Sequence, residues 1–334
     1  MRHIYRFFRR KLAYRPRPEI PTGANTSVLI HIANAKFATY LTAITDVLGK
    51  SRYVYLTTDN GSTHEQLTRL GHPSLHWCST GMSIHGLLIP SGLTDFMDLV
   101  HEADRLLDAI SRLRPSCVLT VEGNAPSDAL LAEVCRKLGI PCFCLQQGWS
   151  PYVHNGFRNL RYTGMFVWGQ KFADLLKPYS PGQHFIVTGS HVLPIQSPPS
   201  NIRNIISFYL QAPCALLGMA AFNDFVDLAL RLIQEHPSQQ FVIREHPGYS
   251  LSDATRKRFI NLSNVHFSNP INEPLAELIA ASLLVVSVFS TVLLEALPMN
   301  AVPIICSIGS MPHYTPDIAA LGAAIEVGSV QHAH

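Results

Sequence analysis

The sequence predicts an α/β protein of two domains, each a parallel sheet with helices on both faces. Three observations carry that expectation. Short, continuous apolar runs alternate with amphipathic segments along most of the chain, the pattern of strands buried on both faces. The chain has 334 residues, and at roughly 150 residues per domain that makes two. The alternation is broken once, by the Pro- and Ser-rich stretch Pro194-Ile-Gln-Ser-Pro-Pro-Ser200, which reads as a domain junction. The expected organisation is a basic N-terminal segment over 1–27, a Rossmann-like domain over 28–193 and a second over 201–334, the two facing each other.

Each element has its own signal. Ser27-Val-Leu-Ile-His-Ile32 and Tyr53-Val-Tyr-Leu-Thr57 read as buried strands, with a helix over 37–48 between them. Apolar residues at 96, 99, 100, 106, 107, 110 and 113 keep a 3.6 period and predict a helix over 93–113. Strands follow at 116–121 and 142–145, around a helix over 127–138 that Gly139 and Pro141 end. Strands at 165–168 and 185–188 close the first half. In the second half, Cys214-Ala-Leu-Leu-Gly-Met219 reads as a strand, then a helix over 222–236 and strands at 240–244 and 265–267. A helix over 273–281, a strand at 283–287, a helix over 291–297 and a strand at 302–306 complete the pattern, and the stretch beyond reads as short for a full domain.

Composition excludes several classes. Hydrophobic residues make up 47% and charged residues 15%, so the chain can bury a large core and is not disordered. A formal charge of +3 excludes a nucleic-acid binder held by bulk charge. The longest apolar run, over 279–289, is too short for the roughly 18–20 residues of a membrane span. Seven cysteines, an odd number, sit mostly in apolar stretches. The pair Cys142-Phe-Cys144 has no second pair to complete a zinc site, so no metal is expected and a reducing cytoplasm fits. G-x-G-x-x-G after the first strand, the P-loop and G-x-S-x-G are all absent, against dehydrogenase, P-loop and serine-hydrolase chemistry.

Ligands of open parallel sheets bind beyond the carboxyl ends of the strands, and four strand ends carry polar residues there. Arg244-Glu-His246-Pro247-Gly can hold a phosphate, or can be a capped turn with a surface ion pair. Ser287-Val-Phe-Ser290-Thr291 leads into a helix with Glu295 one turn inside. That arrangement suits a phosphate and ribose hydroxyls, or is an ordinary Ser/Thr cap. Glu122-Gly-Asn is a carboxylate in a glycine turn, either a general base or an acidic helix lead-in. Gln147-Gly148-Trp149 offers a close backbone approach and an aromatic ring for a sugar, or Trp149 is core.

In this order the motifs resemble the GT-B glycosyltransferases of bacterial surface polysaccharide synthesis, particularly the group of Kdo transferases and polysialyltransferases. His246-Pro247 and Ser287 with Ser290-Thr291 match that group's C-terminal motifs. Glu122-Gly123 matches in part the acid-Gly motif of bacterial sialyltransferases, with Val121 where a second acid would stand. The stretch over 118–189 is also similar to the non-hydrolysing UDP-N-acetylglucosamine 2-epimerases, which share the GT-B fold and place a nucleotide-contacting Glu at the position of Glu295. The resemblance implies a glycosyltransferase with a nucleotide-sugar co-substrate and no other cofactor. Arg244, His246, Pro247, Ser287, Ser290, Thr291 and Glu295 would bind the donor, and Gln147, Gly148 and Trp149 the acceptor or sugar. Glu122 and His246 would be catalytic, without a bridging metal, since no Asp-x-Asp occurs. The acceptor implied is a surface glycan or its lipid-linked form. The alternatives are a nucleotide-sugar 2-epimerase and a non-catalytic assembly protein of the same fold.

The N-terminus adds a membrane expectation. Ile4, Tyr5, Phe7, Phe8 and Leu12 accompany Arg2, Arg6, Arg9, Arg10 and Lys11, with no acid before Glu19. Such a segment over 1–18 suits an anionic membrane surface, with the protein cytoplasmic and peripheral on the inner face of the plasma membrane, or is a disordered basic tail or a helix packed on the second domain.

Overall fold

In the first half, the short apolar runs that read as strands pair side by side and in one direction. The computed structural model describes residues 27–57, 61–77, 91–149, 153, 155–190, 204–214, 217–270, 272–308 and 317–328, and for 91–99 and 101 the backbone alone. The basic segment over 1–18 and the junction over 194–200 lie outside these residues. The chain divides into two units, one of 1–147 with 154–191, the other of 148–153 with 192–334.

The first unit's sheet comprises β1 (Val28–His31), β2 (Tyr53–Thr57), β3 (Ser74–His76), β4 (Cys117–Val121), β5 (Cys142–Leu145), β6 (Gly164–Val167) and β7 (Phe185–Val187). Their order is β3-β2-β1-β4-β5-β6-β7, and every pairing is parallel. The intervening helices are α1 (Lys36–Tyr40), α2 (Thr42–Leu48), α3 (Ser62–Arg69), α4 (Ser91–Leu113), α5 (Pro126–Leu138) and α6 (Gln170–Leu176). The helix expected over 37–48 is thus two. At the break, Thr42 Oγ1 donates to the Thr39 carbonyl and Thr45 Oγ1 to those of Leu41 and Thr42, side-chain bonds that compete with the helical ladder. One core packs Ile30, Tyr55, Leu119 and Val121 of the sheet against Phe37 and Leu67 of the helices and Leu41 between α1 and α2.

The second unit repeats the plan with β8 (Ile205–Tyr209), β9 (Gln240–Arg244), β10 (Val265–Phe267), β11 (Ser282–Ser287), β12 (Val302–Cys306) and β13 (Ile325–Val327), in the order β10-β9-β8-β11-β12-β13. All of these pairings are parallel as well. Its helices are α7 (Met219–Glu235), α8 (Asp253–Lys257), α9 (Leu275–Ala281) and α10 (Val292–Ala296). Phe208 packs between Phe225 of α7 and Phe241 of β9, ring centroids 6.0 and 6.2 Å away.

One strand expectation is corrected here. The described residues of 211–218 are loop, and the strand is Ile205–Tyr209 just before them. Pro213 has no N–H for a central ladder, whereas Ile205–Tyr209 pairs on both sides, with β9 and β11. Both sheets have a switch point, between β1 and β4 and between β8 and β11, where successive connections leave in opposite directions and a crevice opens at the carboxyl edge.

Candidate functional site

At the second unit's switch point, β8 is followed along the chain by α7. Gly218 precedes that 17-residue helix with no side-chain cap, so backbone N–H groups and the positive end of the dipole lie at this edge. Phe222, in the first turn of α7, packs edge-on against Tyr249 at 5.3 Å. The contact sets the start of α7 beside the His246 turn.

That turn is tight. Tyr249 N–H donates to the His246 carbonyl at 2.9 Å, and Gly248 N–H donates to His246 Nδ1 at 3.0 Å. Because Nδ1 accepts, the neutral ring carries its proton on Nε2, which is thereby a donor. The flanking residues fix the loop. Arg244 donates to Ser268 Oγ at 2.6 Å and to the Glu273 carbonyl at 2.8 Å. Glu245 accepts from Leu251 N–H at 2.9 Å and pairs with Arg256. Arg244 is therefore engaged in holding the loop, and Pro247 stands exposed at its tip.

The residues after β11 divide by role. Ser287 is fully buried and its hydroxyl donates to the Tyr209 carbonyl at 2.8 Å. It ties β11 to β8 across the switch point rather than presenting a donor to a ligand. The expected helix over 291–297 is shorter, five α-helical residues followed by a 3-10 turn over Leu297–Met299. Ser290 Oγ accepts from Val292 N–H at 3.4 Å. Thr291 Oγ1 accepts from the backbone N–H of Trp149 at 3.4 Å. Gly148 and Trp149 belong to this unit, while Gln147 ends the first stretch of the other. Trp149 is 8% exposed, so its ring is core rather than an open stacking surface.

Glu295 differs from these. Burial pushes its carboxyl up to about 7, and among the described residues nothing hydrogen-bonds or ion-pairs with it. The residue is half-buried, and a carboxyl so far removed from water is ordinarily paired. It sits one turn into α10, close enough to Tyr209 for its charge to raise the phenol.

The first unit's switch point is filled by its own side chains. Glu122 follows β4 with φ +72° and Gly123 with φ +71°, two successive left-handed residues, uncommon for a glutamate. A Cβ on Gly123 would stand 2.1 Å from Cys144 Sγ, so only glycine fits, and the Tyr162 hydroxyl donates to its carbonyl at 2.8 Å. Burial raises the Glu122 carboxyl, Lys36 lowers it and Asp128 raises it. Beneath lies a buried group: Thr120 Oγ1 donates to Asp128 Oδ1 at 2.9 Å, and His31 Nδ1 lies 3.4 Å from both oxygens. With Thr120 donating to Asp128, His31 donates from Nδ1, leaving Nε2 as the acceptor.

The sequence reading missed His31, Thr120 and Asp128, and also the β8–α7 loop. Asp128 stands 97 positions from His31, and no local motif announces the pair. Among the described residues, no group of His, Cys, Asp or Glu is arranged to hold a metal, and no helix is long and apolar enough to cross a membrane. An apolar cavity of about 320 Å³ lies against one face of the second sheet, lined by Phe208, Leu228, Phe241 and Val286 among others.

No protein-family model matches the chain, and no curated protein matches it in sequence. Solved structures do match. The UDP-GlcNAc 2-epimerase of Neisseria meningitidis, bound to UDP-GlcNAc, superposes with a TM-score of 0.62 at 15% identity, covering 91% of this chain and 88% of that one. MurG of Acinetobacter baumannii gives 0.60 at 14% identity, covering 90% and 85%. The glycotransferase of kitacinnamycin gives 0.59 at 12%, covering 91% and 85%. The fold is theirs. These neighbours are GT-B proteins, and at such identities the likeness is one of fold.

Proposed function

We propose that the chain is a glycosyltransferase that takes its sugar from a nucleotide-sugar held at the carboxyl edge of the second sheet. The observation that carries this reading is Glu295, a half-buried carboxyl raised by desolvation, with no partner among the described residues, at a Rossmann-like switch point. Ribose hydroxyls are donors of the kind it lacks. His246 Nε2 and the start of α7 are suited to the diphosphate, whose negative charge grows as the sugar leaves. Charge stabilisation by these groups is metal-independent in this reading. Glu122 would remove the acceptor proton, and the order of the sequence motifs favours a surface glycan, free or lipid-linked, as acceptor. The segment over 1–18 would hold the enzyme at an anionic membrane surface.

A thermal-shift screen against CMP-, UDP-, GDP- and CDP-linked sugars tests the donor site. A ligand at 100 times its dissociation constant adds about 2.7 kcal/mol, and the gain should shrink in Glu295→Ala. No shift with any of the four would overturn the donor site. A second reading, a nucleotide-sugar 2-epimerase, is favoured by the acids and histidine gathered at the first switch point. Incubation with the nucleotide-sugar alone separates the two, since an epimerase turns over without an acceptor.

A further inference from the structure

We infer that Asp128 is a positioning residue for Glu122: its carboxylate clamps both ends of the left-handed turn that carries Glu122. The inference rests on the reading of Glu122 as a base, and its test separates the two. One carboxylate joins three elements. Oδ1 accepts from Thr120 at the end of β4 and lies 3.4 Å from His31 Nδ1 at the end of β1. Oδ2 accepts from the Ala125 N–H at 3.2 Å, at the entry to α5. Glu122 and Gly123 lie between Thr120 and Ala125, so both ends of the turn are tied to the same group. That over-determination is what a non-glycine residue at φ +72° requires.

Two charges face Glu122, one from each side. Lys36 at the start of α1 lowers its carboxyl and Asp128 on α5 raises it. The Cys144 thiol of β5, raised by burial and by the charges of Asp128 and Glu122, stays neutral, as does the Tyr162 phenol. Glu102 of α4, itself raised by burial, feels His31 and Asp128. A general base needs a carboxylate that holds protons more tightly than usual yet is ionised at working pH. Burial and Asp128 push that way, and Lys36 limits the push.

The test is the pH titration of the Glu122 carboxyl carbon by NMR in the full chain, assigned by loss of its signal in Glu122→Gln. Asp128→Asn removes a negative neighbour, so the midpoint should move to lower pH. Lys36→Met removes a positive one and should move it to higher pH. A purely structural Asp128 would not produce opposite shifts. Midpoints that stay put, or that move the same way in both variants, overturn the inference. Should Asp128→Asn fail to fold, the smaller and still polar Asp128→Ser makes the same measurement. The pH dependence of kcat is recorded in parallel. If the NMR midpoints diverge as expected while the acid limb of kcat stays fixed, the positioning role stands and Glu122 falls as the base.

Discussion

The two units share a strand order and differ at the edge where that order reverses. In the first, the crevice is packed with the chain's own polar groups: Asp128 bonded to Thr120 and Ala125, and Gly123 against Cys144. In the second, Arg244, Glu245 and Ser287 are likewise bonded inward, but Glu295 is half-buried, its carboxyl raised by desolvation, with no protein partner among the described residues. A doubly wound sheet thus supplies a place for chemistry without specifying it. What differs is which polar groups the fold has already satisfied. A satisfied group holds geometry, and an unsatisfied one is where a ligand gains most.

Breaking the first edge should have the largest effect. Gly123→Ala sets a Cβ against Cys144 Sγ at 2.1 Å and at φ +71°, and should lose about 3 kcal/mol or more by denaturant unfolding. Gly148→Ala is the matched control: its Cβ would meet Thr291 Oγ1 at 3.6 Å, ordinary contact, and should stay within about 0.5 kcal/mol of wild type. Equal losses would remove the contrast.

His246→Ala comes next. On the proposed reading its loss should lower kcat by roughly 100- to 1,000-fold with the melting temperature nearly unchanged, because the turn keeps its Tyr249-to-His246 backbone bond. Near-wild-type turnover in a folded variant would remove His246 from the reaction.

The fold was legible where strands are short, apolar and flanked by turn residues. Tyr53–Thr57, Cys142–Leu145, Gln240–Arg244 and Val302–Cys306 fall where the sequence places them. It was illegible where apolar content and position disagree. Cys214-Ala-Leu-Leu-Gly reads as well as Ile205–Tyr209, and only pairing on both sides decides for the latter. Ser62–Arg69 has one large apolar residue, Leu67, with which to mark a helix face, and β3 and β13 have three residues each. The candidate residues were legible by place and not by role. Ser287 was visible as a hydroxyl at a strand end, but its bond to the Tyr209 carbonyl depends on which strand lies alongside. His31 and Asp128 meet only because β4 pairs with β1.

A smaller effect concerns stability and pH. A carboxyl raised from 4.5 to about 7 by folding binds more protons folded than unfolded. Its contribution is therefore intact below about pH 4.5 and falls as pH rises toward 7, by on the order of 3 kcal/mol. Glu295→Gln should flatten that decline when unfolding free energy is followed from pH 4.5 to 8. An identical slope would mean the carboxyl is not buried in solution. Smallest of all, deleting residues 1–18 should release the protein from anionic vesicles in a pelleting assay while sparing activity on a soluble acceptor. A truncated protein that still pellets would show that the segment is not the membrane contact.

On the proposed reading, the unpaired carboxyl of Glu295 in the second unit receives the nucleotide. Calorimetric titration with the nucleotide-sugar selected by thermal shift, at pH 7 in two buffers of different ionisation enthalpy, tests it most directly. Hydroxyl donors favour the ionised form of Glu295, so binding to the wild type should release part of a proton. Glu295→Gln should bind roughly tenfold more weakly and release none. Binding of equal affinity and equal proton release in the two proteins would contradict the claim.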